Sequence, residues 1–208
     1  MTFINESLNI LSKEFEKKHK IDLLADKYKS VVAFFIYAMS RAIKDSPVIN
    51  AVIDPDVKNT TYRDYVDMIV PISSSNPDFP PVNVVLRDCE KKSFTEILKE
   101  IISFEKQVNE GKVNIEDMTG GTISINPNAD SLLGVGSLEE NTTVKLGINK
   151  ISRKAHCVNN NPKDIQPRDI MLISLTYDHR LIDGKEGVMY LRRVKELLEN
   201  PLRMIMDL

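Results

Sequence analysis

The sequence predicts an α+β two-layer sandwich, one mixed sheet covered by helices. Three observations predict it. Segments with helical apolar spacing and short β-branched runs alternate irregularly along the chain. No internal repeat is present, which sets aside solenoids and regular βαβ arrays. No stretch has the composition of a flexible linker, so residues 1–208 are expected to form one domain.

The elements follow in order. Leu8, Leu11 and Phe15 recur at helical spacing and predict a helix over Asn5–Lys20. Lys and Glu hold its other face, and His19 is expected to be solvated there. A second helix is predicted over Asp26–Asp45. It is apolar on nearly all sides across Val31–Met39, so it should be buried, and Pro47 closes it. Ile49–Asp54 reads as a strand and Pro55–Asp56 as a turn. Thr61–Asp67 alternates as a half-buried strand does, and Met68–Val70 continues it into the sheet. Ser73–Pro81 is a loop, and Val82–Leu86 is a strand.

The strongest helix signal spans Ser93–Gly111. Ser93 and Glu96 form a capping box, Phe94, Ile97, Leu98, Ile101 and Phe104 make a buried stripe, and Gly111 ends it. Gly120-Gly121 turns the chain into a strand over Thr122–Asn126. Val144–Ile151 and Ile170–Thr176 are further strands, with Arg153–Asn161, including His156, read as a loop. The last helix covers Gly184–Leu198, with Val188, Leu191, Val194 and Leu198 expected to face inward and its Lys and Arg residues to face solvent.

Composition narrows the function. Lys+Arg (28) nearly balance Asp+Glu (30), and the net charge of -2 calls for neither nucleic acid nor an acidic membrane surface. The run Val31–Met39 is too short to span a bilayer. No secretory signal or Arg-rich transit segment opens the chain, so a mitochondrial protein would carry one upstream or have lost it. Cys89 and Cys157 are far apart and in no metal spacing, so neither a disulfide framework, a metal site nor a thiol nucleophile is expected.

The chemistry concentrates at 177–184, which reads Tyr-Asp-His-Arg-Leu-Ile-Asp-Gly between the last strand and the last helix. Ionisable residues in a turn at the end of a buried strand are well placed for a site. A histidine there can serve as a general base at neutral pH. The plainer account is that Asp183 caps the helix, with Glu186 completing a capping box, while His179 is a hydrogen-bonded turn residue. On these residues alone the plainer account is slightly the better one. The two accounts of Asp183 are compatible, because a capping carboxylate is held rigidly.

The segment at 177–184, with Pro-Leu-Arg-Met-Ile-Met-Asp-Leu at 201–208, resembles the C-terminus of the dihydrolipoamide acyltransferases of 2-oxo acid dehydrogenase complexes. The likeness is greatest to their succinyltransferase branch, and it continues through Pro47–Asp54, Tyr62–Asp67, Leu86–Asp88 and Ile115–Thr122. Several collinear matches are far more specific than one motif.

The resemblance implies a chloramphenicol acetyltransferase-like fold, a trimer with sites in channels between subunits, and a cubic core of 24 subunits. Coenzyme A would enter the channel at one end and a lipoyl arm, carried by another domain or chain, at the other. Other subunits of the dehydrogenase complex would be partners. The compartment would be the mitochondrial matrix in a eukaryote or the cytoplasm in a bacterium.

For the site, the resemblance implies that His179 takes the proton from a thiol of coenzyme A or dihydrolipoamide. The ordinary pKa gap between a thiol (about 8.5) and an imidazole (about 6.5) corresponds to roughly 2.7 kcal/mol, which a built site can offset. Asp183 would support the geometry. A Ser or Thr hydroxyl in the strand after Gly-Gly stabilises the oxyanion in this family. Without a gap that position is Asn126, whose carboxamide can donate, and with a short shift it is Ser124. An ordinary strand role for Ser124 is about equally good.

Three departures from the family pattern stand out. The chain opens near the Thr-Phe-Ile-Asn-Glu stretch at 2–6, without a lipoyl or subunit-binding domain. Asn76–Pro81 replaces a Pro-x-Gly-Leu turn. Asn128–Ser131 and Glu139–Thr143 stand in place of an Asn-Gly-Gly loop and an Asn-Pro-Pro-Gln-Ser segment. In the family the replaced segments help form the channel and the trimer contacts. The departures leave two other readings, a non-catalytic core or scaffold subunit and a stand-alone acyltransferase acting on a hydroxyl. The flanking matches favour the dehydrogenase branch over the latter.

Overall fold

The computed structural model of the chain describes residues 1–208 except 25–26, 54–58, 77, 129, 159–160, 202–203 and 205–208. The expected helix start at Asp26, the strand end at Asp54, the turn at Pro55–Asp56 and most of the 201–208 motif lie outside the described residues.

A five-stranded mixed sheet organises the chain. Its strands are β3 (Met68–Ile72), β4 (Val82–Leu86), β5 (Ile123–Asn128), β6 (Val144–Asn149) and β9 (Ile173–Tyr177), in the order β4-β3-β5-β6-β9. β5 runs parallel to both β3 and β6, while β4 and β9 form antiparallel edges. Side chains alternate across a strand, and here one set is apolar throughout. Met68, Val70, Ile72, Val84, Leu86, Ile123, Ile125, Val144, Leu146 and Ile148 all enter one core. Ile173, Leu175 and Tyr177 of β9 pack against it.

Helices close that face: α1 (Thr2–His19), α2 (Lys27–Ala42), α3 (Phe94–Glu110) and α4 (Gly184–Glu199). α2 is buried along most of its length, as its apolar run requires. α3 carries the expected capping box, the expected stripe of five buried residues and a left-handed Gly111 at its end. Tyr190 of α4 is fully buried, and its hydroxyl donates to the Met39 carbonyl at 3.2 Å, tying α4 to α2.

Several family-like segments meet at one polar hub. Asp67 accepts from Arg87 Nη1 (3.0 Å) and from the Asp88 backbone N–H (2.9 Å), and its own carbonyl accepts from the Thr122 N–H (2.8 Å). Arg87 Nη2 donates to the carbonyls of Glu116 and Thr119. Gly121 makes the turn into β5 at φ +100, where a Cβ would lie 2.4 Å from Ile69 Cγ1. Only glycine fits there.

The structure corrects several expectations. Thr61–Asp67 is not one half-buried strand leading into the sheet. β2 (Thr60–Tyr62) is exposed and, among the described residues, pairs only with β1 (Ala51–Ile53), as a separate ribbon. The buried Asn50 amide donates to the Tyr65 carbonyl (2.6 Å) and bends the chain there, while Ile49 and Asn50 belong to a 3-10 turn.

Arg153–Asn161 is not a loop: β7 (Ser152–Cys157) pairs with β8 (Ile165–Ile170), so Ile170 ends β8 and β9 begins at Ile173. Both ribbon strands are mostly polar and exposed, so no buried face marks them in the sequence. On α4, Gly187 and Tyr190 face inward with Val194 and Leu198, while Val188 is 66% exposed. His19 is half-buried, its ring 5.0 Å from that of Phe15. Among the described residues no helix is long and apolar enough to cross a membrane.

The two cysteines differ sharply. Cys89 is buried, and burial pushes its thiol up to about 12, whereas Cys157 is exposed on β7. A thiolate is the reactive form. A thiol reagent at pH 8 should therefore modify one cysteine per native chain, Cys157, and both after denaturation. Mass mapping that found Cys89 labelled as fast as Cys157 in the native protein would contradict this burial.

Candidate active site

β9 leaves the sheet at Tyr177 and turns into α4 through 178–183. The turn is held from several sides. The Asp178 N–H donates to the Thr143 carbonyl (3.0 Å), and the Asp178 carbonyl accepts from the N–H groups of Leu181 and Ile182 (3.1 and 3.0 Å). Ile182 is fully buried and anchors the turn to the core. Asp183 then starts α4 with a complete capping box. Its Oδ1 accepts from the Glu186 N–H (2.9 Å), and Glu186 returns a bond to the Asp183 N–H (3.1 Å).

This geometry lifts His179 to the surface. The imidazole is exposed and has no hydrogen-bond partner among the described residues. Its support is the Tyr177 ring, with centroids 5.5 Å apart. Tyr177 in turn lies against α4 where the helix has no side chain: a Cβ on Gly187 would stand 3.1 Å from Tyr177 Cε1. Arg180 is turned to Asp178, with Nη2 2.6 Å and Nε 2.9–3.1 Å from the carboxylate oxygens. That guanidinium holds the Asp178 carboxyl below the usual carboxylate range. The turn therefore carries its own internal ion pair beside the imidazole.

Ser124 and Asn126 lie elsewhere, on the polar face of the sheet, with Lys145, Asn149 and Ser174. Their fates differ. Ser124 is fully buried, and its hydroxyl donates to Glu139. Asn126 is half-buried, and its carboxamide has no hydrogen-bond partner among the described residues. A bare donor facing partly open space can stabilise an oxyanion, whereas a hydroxyl already committed to a carboxylate cannot do so freely.

Within one chain these groups do not meet His179. Asn126 pairs with Gly147, Gly147 pairs with Ser174, and His179 lies five residues beyond Ser174. At about 3.3 Å per residue and about 4.8 Å per strand, Asn126 and His179 are on the order of 15–20 Å apart. Ser124, in register with Lys145 and Thr176, is on the order of 14 Å away by the same measure. His179 and Asp183 share one turn, and Ser124 and Asn126 share one face. Among the described residues no group of three or more His, Cys, Asp or Glu side chains is placed to hold a metal.

The family model for the catalytic domain of 2-oxoacid dehydrogenases acyltransferase matches residues 6–206. The chain belongs to this acyltransferase family. Its relatives include the dihydrolipoyllysine-residue succinyltransferase component of the 2-oxoglutarate dehydrogenase complex from Rickettsia felis. That protein is 36% identical over 202 residues, which are 96% of this chain and 47% of the relative. The mitochondrial counterpart from Arabidopsis thaliana is 35% identical over 196 residues, 93% of this chain and 39% of the relative. The chain thus spans less than half the length of these relatives.

Among solved structures, the cubic core of the pyruvate dehydrogenase multienzyme complex aligns with a TM-score of 0.83 at 21% identity, covering 99% of this chain and 80% of that one. A chloramphenicol acetyltransferase aligns with a TM-score of 0.52 at 19% identity, covering 80% of this chain and 77% of that one. These likenesses establish the fold of the acyltransferase domain, and the chloramphenicol acetyltransferase-like expectation holds.

Three supports of the site went unread in the sequence: the Tyr177 ring beneath His179, the Asp178–Arg180 pair, and the Glu139 contact to Ser124. One signal was available. Lys145 is a charge between Val144 and Leu146 in a strand whose alternate residues are apolar, which marks a polar sheet face.

The cap on α4 is testable apart from catalysis. Asp183→Ala should lose about 1 kcal/mol of stability, whereas Asp183→Asn should stay within a few tenths, because Asn caps as well as Asp. Urea unfolding measures both. Equal losses for the two variants would show that the carboxylate charge, not the cap, is what stabilises the turn.

Proposed function

We propose that the chain is the catalytic core domain of an acyltransferase that moves a succinyl or other acyl group between dihydrolipoamide and coenzyme A. The setting is a complex of the 2-oxoglutarate dehydrogenase type, and His179 is the general base. The observation that carries this reading is an exposed imidazole, without a hydrogen-bond partner among the described residues, on a capped turn in a chain of this family.

The chemistry is a swap of thioesters. His179 takes the proton of the attacking thiol as its sulfur adds to the thioester carbonyl carbon. The carbonyl oxygen becomes an oxyanion, and the Asn126 carboxamide donates a hydrogen bond to it. The carbon–sulfur bond to the leaving group then breaks, and the imidazolium returns its proton to the departing thiolate. The exchange is nearly neutral overall, so the protein's task is to supply a base, an oxyanion donor and positioning. Coenzyme A is a substrate, and the lipoyl group arrives on another domain or chain.

A single chain holds His179 and Asn126 too far apart to serve one carbonyl. The reading is therefore a site shared between copies, the His179 turn of one against the polar sheet face of the next. A ring of three such heterologous contacts closes on itself. The likeness to a cubic core supports trimers assembled further into a cage of 24 subunits. The other subunits and the lipoyl domains of the complex are the partners in this reading. The Arabidopsis relative is mitochondrial by name, so a eukaryotic source places this chain in the matrix, and a bacterial source places it in the cytoplasm.

The test supplies succinyl-coenzyme A and free dihydrolipoamide to the assembled protein. Wild type should turn over, and His179→Ala should lose about 10²–10⁴-fold in kcat, the usual range for a positioned base. Asn126→Ala should fall by about 10²-fold, as for other oxyanion donors, and further than Ser124→Ala. An intact oligomer without any turnover would overturn the enzyme reading and leave a scaffold subunit. Equal, small losses at Asn126 and Ser124 would remove the oxyanion assignment alone.

A further inference from the structure

We propose that Glu139 is a positioning residue for Asn126, acting through a strap that spans residues 130–141. This deepens the proposed function and rests on the reading of Asn126 as the oxyanion donor. The strap stands where the family resemblance expects an Asn-Gly-Gly loop and an Asn-Pro-Pro-Gln-Ser segment. Instead of a glycine-rich loop, this chain lays a tied segment along the polar face of the sheet.

The ties run its whole length. The Lys150 N–H donates to the Ser131 carbonyl at 2.9 Å. The Gly134 N–H donates to Asn149 Oδ1 at 2.6 Å, and Ser174 Oγ donates to the Gly134 carbonyl. Lys145 Nζ donates to the Ser137 carbonyl at 3.0 Å, and Thr142 Oγ1 donates to the Glu139 carbonyl at 2.8 Å.

Glu139 is the most heavily engaged member. One carboxylate oxygen takes the Lys145 ammonium, and the other takes the hydroxyl of the fully buried Ser124. The pair is largely shielded, with side-chain exposures of 14% for Lys145 and 24% for Glu139. Removing one partner of such a pair leaves the other poorly solvated, so the pair holds its geometry more firmly than a surface bridge does.

This clamp reaches Asn126 by way of Gly136. The space that a Cβ on Gly136 would fill lies 2.9 Å from Lys145 Cδ and 3.3 Å from Asn126 Nδ2. The strap backbone, the lysine stem and the Asn126 amide thus converge on one point. With no hydrogen bond of its own among the described residues, the Asn126 amide is oriented by packing alone. The packing is set by Lys145, whose ammonium Glu139 holds, and by Gly136, in the strap that the same lysine ties at the Ser137 carbonyl. An oxyanion donor must be aimed before the reaction to be effective, so loosening the clamp costs the transition state and not substrate binding.

The experiment is a double-mutant cycle on the assembled protein, assayed with succinyl-coenzyme A and dihydrolipoamide. Glu139→Gln keeps an acceptor for Ser124 but removes the ion pair. It should lower kcat about tenfold while KM for both substrates stays within about twofold. In the Asn126→Ala background the same change should lower kcat no further, because the group it positions is gone.

A charge-swapped chain, Glu139→Lys with Lys145→Glu, should recover most of the loss, and particle mass verifies assembly of each variant. If Glu139→Gln does not assemble, the swapped pair is compared with Lys145→Met in its place. Wild-type kcat in Glu139→Gln, or the same fold loss in both backgrounds, would overturn the proposal. An Asn126→Ala variant with wild-type turnover also overturns it, and that single variant shows that the Asn126 reading failed first.

Discussion

The alternation of side chains across β5, β6 and β9 is the constraint on which the rest depends. In these strands every second residue is apolar and enters the core, so every other residue must point away from it. A one-residue slip would exchange the faces, moving Ile123, Ile125 and Leu146 out of the core and Ser124, Asn126 and Lys145 into it. The hydrophobic term that fixes the register therefore also fixes where the Asn126 amide stands. The core stabilises the sheet, and the polar face follows from it.

That polar face has to be covered or hydrogen-bonded, since buried polar groups without partners are costly. Two solutions operate side by side. The strap of residues 130–141 satisfies Ser124, Lys145, Asn149 and Ser174 within the chain. The Asn126 carboxamide is left without a partner among the described residues. At the opposite end of β9, the His179 imidazole is likewise unpartnered among the described residues, although the turn that carries it is capped, anchored by Ile182 and internally neutralised by Asp178 and Arg180. The sheet face thus displays the Asn126 amide and the turn displays the His179 imidazole, each without a hydrogen-bond partner among the described residues. That division fits a site whose halves come from different copies of the chain, as proposed for this acyltransferase.

Much of this was legible in the sequence wherever one residue type does a local job. The capping boxes at Ser93 and Asp183 could be read because a cap is a contact over three residues. The burial of α2 could be read because its apolar run leaves no polar face. The β7–β8 ribbon could not, because it buries no face and so writes no period-two pattern. The inward set of α4 was right at Val194 and Leu198, and Leu191 packs against the core, but Val188 is exposed while Gly187 and Tyr190 face inward. A glycine at 187, where Tyr177 packs closely, gave no apolar mark.

The site residues show the same division. His179 and Asp183 could be singled out as candidates because they share a contiguous segment that resembles the family's motif. The choice between Ser124 and Asn126 stayed open in the sequence because neighbouring polar positions on one strand face look alike. It turns on Glu139, fifteen residues later, whose contact to Ser124 only the folded chain reveals.

The central claim is that a working site takes His179 from one chain and Asn126 from another. Co-assembly of His179→Ala chains with Asn126→Ala chains tests it most directly, with each variant also assayed alone. Each pure assembly should be nearly inactive. An equal mixture in closed rings should regain about one quarter of wild-type turnover, because that share of subunit contacts pairs an intact His179 with an intact Asn126. Mixed particles, verified by mass, that stayed as inactive as their parents would contradict a shared site.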